Sequence, residues 1–147
     1  MMLSRNKIIF ESNALILHCL IKDQINLGNI YATLRNVGEY MSRLLKKNKL
    51  YIGKYSYKKM DKIARRIIEY DNQGYIVYSC LSLSILIHIY LCVYNIQSDI
   101  IIGTCILGEK VYSHAWVQTI DNKVFDYRYD DYQYKELKRI NLMSIVK

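Results

Sequence analysis

The chain has 147 residues, of which 52% are hydrophobic and 23% are charged, and it contains no proline. This composition excludes a disordered or low-complexity protein, and the length suits a single domain, 1–147, with one core. The net charge of +8 is uneven, because residues 1–73 hold 14 Lys/Arg against 6 Asp/Glu, whereas residues 74–147 hold 7 of each. A basic first half suits a nucleic acid, an anionic membrane surface or an acidic polypeptide as partner, or is simply a solvated helical face.

The cysteines indicate a reducing compartment. They are Cys19, Cys80, Cys92 and Cys105. They show neither CxxC spacing nor the framework of a secreted disulfide protein. The first residues contain no small-residue cleavage site, so no signal peptide is predicted and a cytoplasmic protein is expected.

Three amphipathic helices are predicted in residues 1–73, each after a residue that can cap it. These caps are Ser12, Asn29 and Ser56, and Gly74 stands where the third helix would end. Because most of the basic residues fall on the polar faces of these helices, we expect a basic helical layer.

Residues 72–98 contain no Asp, Glu, Lys or Arg, and a charge-free run of this length resembles a membrane span. Four polar residues, Cys80, Ser84, His88 and Cys92, recur every four positions and therefore share one face of a helix. Lipid would penalise such a stripe, whereas a protein core would accept it. The pattern favours a buried helix, with a membrane-anchored protein as the alternative.

The segments after this run are rich in β-branched and aromatic residues. They read "DIIIGTCIL", "KVYSHAWVQTI" and "KVFDYRYD", with turn candidates "GEK" and "DN" between them. This pattern predicts a three-stranded antiparallel meander in a catalytic core over residues 74–131. Residues 132–147 form a tail, either a further strand or a short helix. The predicted fold class is α+β.

Three residues along this core have the chemistry of a nucleophilic triad. Cys80 follows Ser79, a good helix cap, and a thiol in the first turn of a helix is favoured as thiolate. His114 lies in a strand and can serve as base, and acidic residues begin at Asp126 to orient it. The alternative is a buried structural thiol and a strand histidine with an ordinary partner.

The sequence around these residues resembles a known family. Cys80 followed by "LSLSILIHIYLCVY", then "DIIIGTCI" and "HAWVQTIDNKVFD", is similar to the transglutaminase-like superfamily, and more narrowly to the small cysteine proteases that mature lasso peptides. The resemblance covers about residues 63–130 and implies a papain/transglutaminase-like core with Cys80 as nucleophile, His114 as base and Asp126 as orienting carboxylate. Gln118 stands where the family usually has Glu.

The loop between the last two predicted strands decides which carboxylate reaches His114. A two-residue turn at Asp121 and Asn122 would place Asp126 opposite Val117 and on the other face of the sheet. A three-residue loop over residues 121–123 would place Asp130 opposite His114, and a loop centred on residue 120, or a bulge, would place Asp126 there. The resemblance favours Asp126 as the carboxylate that orients His114, and Asp130 is the rival candidate for this role.

Other groups are candidates for supporting roles. The backbone N–H of Cys80 is the expected oxyanion donor, and the side chain of Gln73 is a second candidate. His88 and Cys92 are spaced as two metal ligands on a helix, but two ligands do not make a zinc site. No metal site and no cofactor are predicted.

The resemblance implies a cytoplasmic protease that removes the leader from a ribosomally made lasso-peptide precursor. It also implies a separate ATP-using lasso cyclase and a leader-recognition protein, which we expect to be separate because the chain leaves little room for a fused domain. Four lysines are candidates for docking that protein or an acidic leader: Lys46, Lys47, Lys58 and Lys59. The alternatives are a transglutaminase-like acyltransferase, a basic nucleic-acid-binding protein and a membrane-anchored protein.

Overall fold

The computed structural model describes residues 5–27, 29–47 and 53–141. Within them the elements are α1 (Arg5–Leu27), α2 (Ile30–Lys46), α3 (Tyr57–Asn72), α4 (Cys80–Val93), β1 (Ser98–Leu107), β2 (Lys110–Thr119), β3 (Val124–Phe125) and β4 (Lys135–Ile140). The predicted α+β fold class is confirmed. The chain divides into two compact units, Met1–Tyr78 and Ser79–Lys147. The single-domain organisation stays a prediction.

The first unit is a set of three helices in which α1 contacts both α2 and α3. Its core consists of apolar side chains at helical spacing: Leu17, Ile21, Leu34, Val37, Met41, Met60, Ile63, Ala64 and Ile67. The predicted cap Asn29 accepts a hydrogen bond from Tyr31 N–H at 2.7 Å, and Ser56 accepts one from Lys59 N–H at 3.1 Å. These bonds satisfy donors that a helix start leaves unpaired.

The predicted start of the first helix at Ser12 is wrong. The helix α1 begins at Arg5, so that Ser12 lies inside it. No glycine or proline interrupts the chain from Arg5 to Leu27, and most of these residues tolerate helical geometry well. A serine can cap a helix only where the upstream residues leave the helical conformation, and here they do not.

The second unit begins with the apolar helix α4. Ser79 accepts a hydrogen bond from Ser82 N–H at 3.0 Å, and the Ser82 hydroxyl accepts one from Ser79 N–H at 2.9 Å. This reciprocal capping box fixes where the helix starts. Every side chain from Ser82 to Leu91 is buried, which accounts for the absence of charge in this segment. Among the described helices, none is both long enough and apolar enough to cross a bilayer.

The four strands form one antiparallel sheet in the order β3-β2-β1-β4. The predicted meander is therefore present as β1, β2 and β3. The fourth strand comes from the predicted tail and pairs with the far side of β1, with a register shift at Ile102 and Gly103. Residues 142–147 of that tail lie outside the described residues.

One face of the sheet packs against α4, whose contacts are with β1 and β2. His88 of α4 lies 2.8 Å from the hydroxyl of Ser98, and Ser98 pairs with Thr119 of β2. Because side chains alternate along a strand, the helix face of β2 carries Thr119, Val117 and Ala115. The opposite face carries the even-numbered residues, including His114.

Candidate active site

The nucleophile candidate Cys80 is the first residue of α4 and is half-buried. The capping box at Ser79 holds this position in the helical turn. Among the described hydrogen bonds, none uses the backbone N–H of Cys80. An N–H at a helix start can donate to the oxyanion that forms when the neighbouring thiolate attacks a carbonyl group, which is the role expected of Cys80 from the sequence.

Opposing effects act on the Cys80 thiol. Burial raises the pKa, but hydrogen bonds from the side chain of His114 and the backbone of Ala115 outweigh it. Attraction to His114 and a backbone hydrogen bond from Leu81 act in the same direction, and the net pKa lies below the ordinary value of a thiol. The first turn of α4 and the strand β2 thus both stabilise the thiolate.

His114 connects the thiol to a carboxylate. Its Nε2 lies 2.7 Å from Oδ1 of Asp126, which leaves Nδ1 for the hydrogen bond with Cys80. Burial lowers the pKa of the imidazole, but the hydrogen bonds with Asp126 and Cys80 and the attraction to both groups raise it to about 9. His114 is therefore protonated at neutral pH when the thiol is ionised.

These opposite pKa shifts favour an ion pair. A lowered thiol pKa and a raised imidazole pKa both favour transfer of the thiol proton to the imidazole, which gives a Cys80 thiolate beside a His114 imidazolium. Such a pair supplies both a nucleophile and a proton donor before any substrate binds. Because the two groups titrate together, the macroscopic pKa values belong to the pair.

The register of β2 and β3 explains how Asp126 reaches His114. Phe125 pairs with Val117 and Val124 pairs with Gln118, which differs from each of the three registers considered from the sequence. Continued by one residue, this register sets Asp126 beside Trp116, on the same face as His114. The carboxylate then bonds diagonally to the imidazole, two residues along β2.

The loop itself is closed by Thr119 rather than by the predicted "DN" turn alone. Thr119 N–H donates to the carbonyl of Lys123 at 2.9 Å, and Lys123 N–H donates to the Thr119 hydroxyl at 2.9 Å. Asn122 has a φ of 66°, a left-handed conformation that asparagine accepts more readily than most residues. The loop residues are therefore 120–122, one position earlier than a loop over 121–123.

Arg128 is a second partner of Asp126 that the sequence analysis missed. Its Nε donates to Oδ2 of Asp126 at 2.8 Å, its NH2 group contacts the same oxygen, and its backbone N–H donates to Oδ1 at 3.1 Å. Burial raises the pKa of Asp126, but the bonds from His114 and Arg128 hold it far below its ordinary value. The carboxylate consequently stays ionised and orients the imidazole.

Aromatic rings surround this ion network. The rings of Trp116 and Tyr134 lie 5.8 Å and 5.2 Å from the imidazole of His114. The guanidinium of Arg128 lies over the same two rings, at 5.1 Å and 4.8 Å from their centroids. Stacking of this kind limits the motion of the imidazole and of the cation that holds Asp126.

The rival carboxylate Asp130 has other partners. Its Oδ2 accepts a hydrogen bond from the Tyr134 hydroxyl, and its Oδ1 accepts one from Tyr132 N–H, both at 3.1 Å. Asp130 thus positions a ring that contacts His114, whereas Asp126 bonds to His114 directly.

Gly103 makes room for the ring of Trp116. It pairs with His114 across the sheet, and a Cβ at this position would lie 2.8 Å from the Trp116 ring and 3.1 Å from the carbonyl of Lys135. Any side chain larger than hydrogen would displace the indole that stacks on His114. This glycine is a structural requirement of the site that composition and spacing did not reveal.

The remaining predicted site residues lie elsewhere. Gln73 is the exposed C-cap of α3 in the first unit. Ser84 and His88 are buried on α4, and Cys92 is half-buried, with its sulfur 3.9 Å from Nε2 of His88. Among the described residues, no group of three or more His, Cys, Asp or Glu side chains could hold a metal ion.

The four lysines predicted to dock a partner lie at helix ends of the first unit. Lys46 is the last residue of α2, Lys47 is its C-cap, and Lys58 and Lys59 are in the first turn of α3. Lys59 is half-buried and donates to the carbonyl of Lys54 at 3.3 Å. Burial lowers its pKa.

A sequence signal for Arg128 exists in retrospect. Asp126, Arg128 and Asp130 alternate with tyrosines in "DYRYD", and a period of two puts all three on one side of an extended chain. An arginine between two aspartates on one face of such a segment is expected to pair with one of them.

A known family matches most of the chain. Residues 29–140 match the model of a family described as the transglutaminase-like superfamily, a span that runs from the N-cap of α2 to the last residue of β4. No curated protein and no solved structure gave a significant match. Members of this superfamily act as cysteine proteases or acyltransferases.

Proposed function

We propose that the chain, which belongs to the transglutaminase-like superfamily, is a cysteine protease that removes the leader from a ribosomally made lasso-peptide precursor. One observation carries the catalytic part of this proposal: His114 is shared between the Cys80 thiol and the Asp126 carboxylate, with opposite pKa shifts on thiol and imidazole. The arrangement matches the needs of acyl transfer through a thioester.

In the first half of the reaction, the Cys80 thiolate attacks the carbonyl carbon at the end of the leader. A carbon–sulfur bond forms, and the carbonyl oxygen takes the negative charge, where the free N–H of Cys80 can stabilise it. The carbon–nitrogen bond then breaks as the imidazolium of His114 gives its proton to the departing amine. The core peptide leaves with a free α-amine.

In the second half, water releases the leader. Neutral His114 takes a proton from the water molecule, whose oxygen attacks the thioester carbonyl. The carbon–sulfur bond breaks, Cys80 departs as thiolate, and His114 is again protonated. Asp126 keeps the imidazole in one orientation through both halves, because its ionisation is secured by Arg128.

The choice of a lasso precursor as substrate is supported by the "HAWVQTIDNKVFD" block, which contains His114 and Asp126 and resembles the leader peptidases. In this proposal the protein acts in the cytoplasm with a separate leader-recognition protein and a lasso cyclase. The lysines 46, 47, 58 and 59 are proposed to dock the recognition protein or an acidic leader, because all four lie at helix ends in the basic first unit.

Mass spectrometry of a lasso precursor incubated with the protein and its recognition partner tests the substrate. We expect two fragments, a leader with a free carboxylate and a core with a free amine, and no fragments with Cys80→Ala. An intact precursor after exposure to a protein whose Cys80 is reactive would remove the lasso-peptide assignment.

The same experiment, repeated with a high concentration of a primary amine, separates proteolysis from acyl transfer. A protease gives mainly the leader carboxylate, because water outcompetes the added amine at the thioester. A leader that is quantitatively converted to the amide would favour the acyltransferase alternative, since both reactions share the thioester formed on Cys80.

A further inference from the structure

One edge of β2 is open next to Cys80. On one side, β2 pairs with β1 along its whole length, from Lys110 to Thr119. On the other side, β3 pairs only at Val117 and Gln118. Within the described residues, no backbone-to-backbone hydrogen bond reaches this second edge between residues 110 and 116.

The alternation of the strand identifies which groups point to the open edge. Thr119 N–H bonds to Lys123 on the β3 side, so the odd-numbered residues of β2 direct their N–H and C=O groups to that side. By the same rule the backbone N–H of Ala115 points to that side, and it donates a hydrogen bond to the Cys80 thiol. Ser113 and Val111 are the next two residues in this series.

Cys80 therefore lies at the open edge of β2, where a neighbouring strand would otherwise bond to Ala115. The backbone groups of Ser113 lie about 7 Å further along β2, at two residues of strand rise. Ser113 is exposed, and Val111 is 65% exposed. Solvent-facing N–H and C=O groups on such an edge are a template for another extended chain.

The geometry points to peptide recognition by strand addition. We propose that the segment on the acyl side of the scissile bond pairs with the open edge of β2 at Ser113 and Val111, which delivers its last carbonyl to Cys80. This inference rests on the proposed function, because it identifies how the same site holds its substrate. Main-chain pairing supplies affinity in such recognition, and side-chain pockets supply selectivity.

The acyl side is the appropriate half of the substrate for this edge. The amine half leaves once His114 has protonated it, so contacts to it are lost in the first step. Contacts to the acyl half persist until the thioester is hydrolysed. In leader removal the acyl half is the leader, so pairing along β2 would hold the leader end throughout both steps.

Alkylation of Cys80 by peptide chloromethyl ketones tests this inference without knowledge of the natural substrate. The probes are acetylated alanine chloromethyl ketones of one to four residues, and mass spectrometry follows modification of Cys80. We expect the second-order rate constant to rise about tenfold with length, the effect of two added main-chain hydrogen bonds. N-methyl groups placed in turn at each residue should remove this gain at alternate positions only.

Two variants at one position complete the test. Ser113→Pro removes the N–H that faces the open edge and leaves the bonds to β1 intact, a placement that edge strands tolerate. It should lose most of the gain with length, whereas the matched control Ser113→Ala should keep it. If Ser113→Pro fails to fold, the N-methyl series on the unaltered protein decides.

Iodoacetamide, which has no peptide chain, separates the two ways of failing. It should modify Cys80 at equal rates in the unaltered protein and in both Ser113 variants. If iodoacetamide does not prefer Cys80 over the other thiols, the proposed function itself fails, and this inference with it. If Cys80 is reactive but the ketones show no dependence on length, or N-methylation shows no alternation, the proposed function stands and strand addition is overturned.

Discussion

The second unit contains two buried histidines with opposite electrostatics. His88 lies on α4, is 0% exposed, and has the hydroxyl of Ser98 at 2.8 Å from Nδ1. His114 lies on β2, is 8% exposed, and has the carboxylate of Asp126 at 2.7 Å from Nε2. Burial lowers the pKa of His88 to about 4, whereas the pKa of His114 rises to about 9.

The partner accounts for this difference. A hydroxyl bonds to an imidazole in either protonation state, so that desolvation decides the charge of His88, and Asp99 opposes it only weakly. An ionised carboxylate favours the imidazolium, and at His114 it overcomes burial. Each histidine also has a cysteine nearby, but the pKa of the Cys92 thiol is raised to about 11 by burial, while that of Cys80 is lowered. A cysteine beside a histidine is therefore not by itself a nucleophile.

The largest expected effect separates the two thiols. Cys80→Ala should abolish turnover, because removal of a nucleophile from such a unit costs about 10⁶-fold in rate. Cys92→Ala should leave turnover within about threefold, since its neutral thiol takes no part in the ion pair. Precursor cleavage followed by chromatography measures both. Comparable losses in the two folded variants would contradict the distinction between the thiols.

The second-largest effect tests Asp126, the carboxylate partner of His114, in contrast to the hydroxyl partner of His88. Asp126→Asn keeps the shape but removes the charge, and a loss of about 10³ to 10⁴ in kcat is expected for a base left without its orienting carboxylate. Asp130→Asn should cost about tenfold or less, because Asp130 acts only through Tyr134. If Asp130→Asn is inactive and Asp126→Asn is active, the rival is the catalytic carboxylate.

The pH dependence of turnover follows from the same ion pair. Activity should rise as pH passes the lowered pKa of Cys80, and fall as His114 loses its proton near pH 9. Without the Asp126 carboxylate the pKa of His114 falls, so the alkaline limb of the Asp126→Asn variant should move to lower pH. Profiles of kcat/KM between about pH 5 and pH 10 measure both limbs. An unmoved alkaline limb would assign it to a group other than His114.

Much of the fold could be predicted from the sequence because local patterns determine it. Asn29, Ser56 and Ser79 cap helices as expected, since a side-chain oxygen at a helix start satisfies the same donors in any fold. The β-branched and aromatic residues of "KVYSHAWVQTI" predicted a strand, and the family resemblance placed His114 and Asp126 in one site.

Contacts between residues that are far apart in the chain could not be predicted from the sequence. The register between β2 and β3 depends on how Thr119 closes the loop, and one residue of difference exchanges the two faces of the sheet. The role of Gly103 depends on where the indole of Trp116 lies across the strand. The bond from His88 to Ser98 joins a helix to a strand, and helical spacing alone did not indicate which element the polar stripe faces.

A smaller effect, on stability and not on turnover, is expected from a substitution of His88. His88→Ala leaves a cavity and an unpaired Ser98 hydroxyl, so we expect a loss of about 2 to 4 kcal/mol in the free energy of unfolding. Denaturant titration measures it. The folded fraction should keep the iodoacetamide reactivity of Cys80, and a large change in that reactivity would connect His88 to the candidate active site.

The pH dependence of stability should also separate the two histidines. The lowered pKa of His88 makes stability fall as pH drops from about 6.5 towards 4, because the unfolded state binds the proton more readily. The raised pKa of His114 makes stability fall as pH rises from about 6.5 through 9. The variants His88→Ala and His114→Ala should each flatten one side of the stability profile. A profile unchanged on both sides would contradict the two pKa shifts.

The smallest effect concerns the four docking lysines of the first unit and does not involve either histidine. Reversal of the charges at residues 46, 47, 58 and 59 to glutamate should weaken leader processing a few-fold, mainly through slower association. The loss should shrink with added salt, because exposed charges are screened over about 10 Å at 0.1 M. A matched variant with four other lysines reversed, Lys54, Lys62, Lys135 and Lys138, has the same net charge. Equal losses in the two variants would show that net charge, and not a docking surface, controls processing.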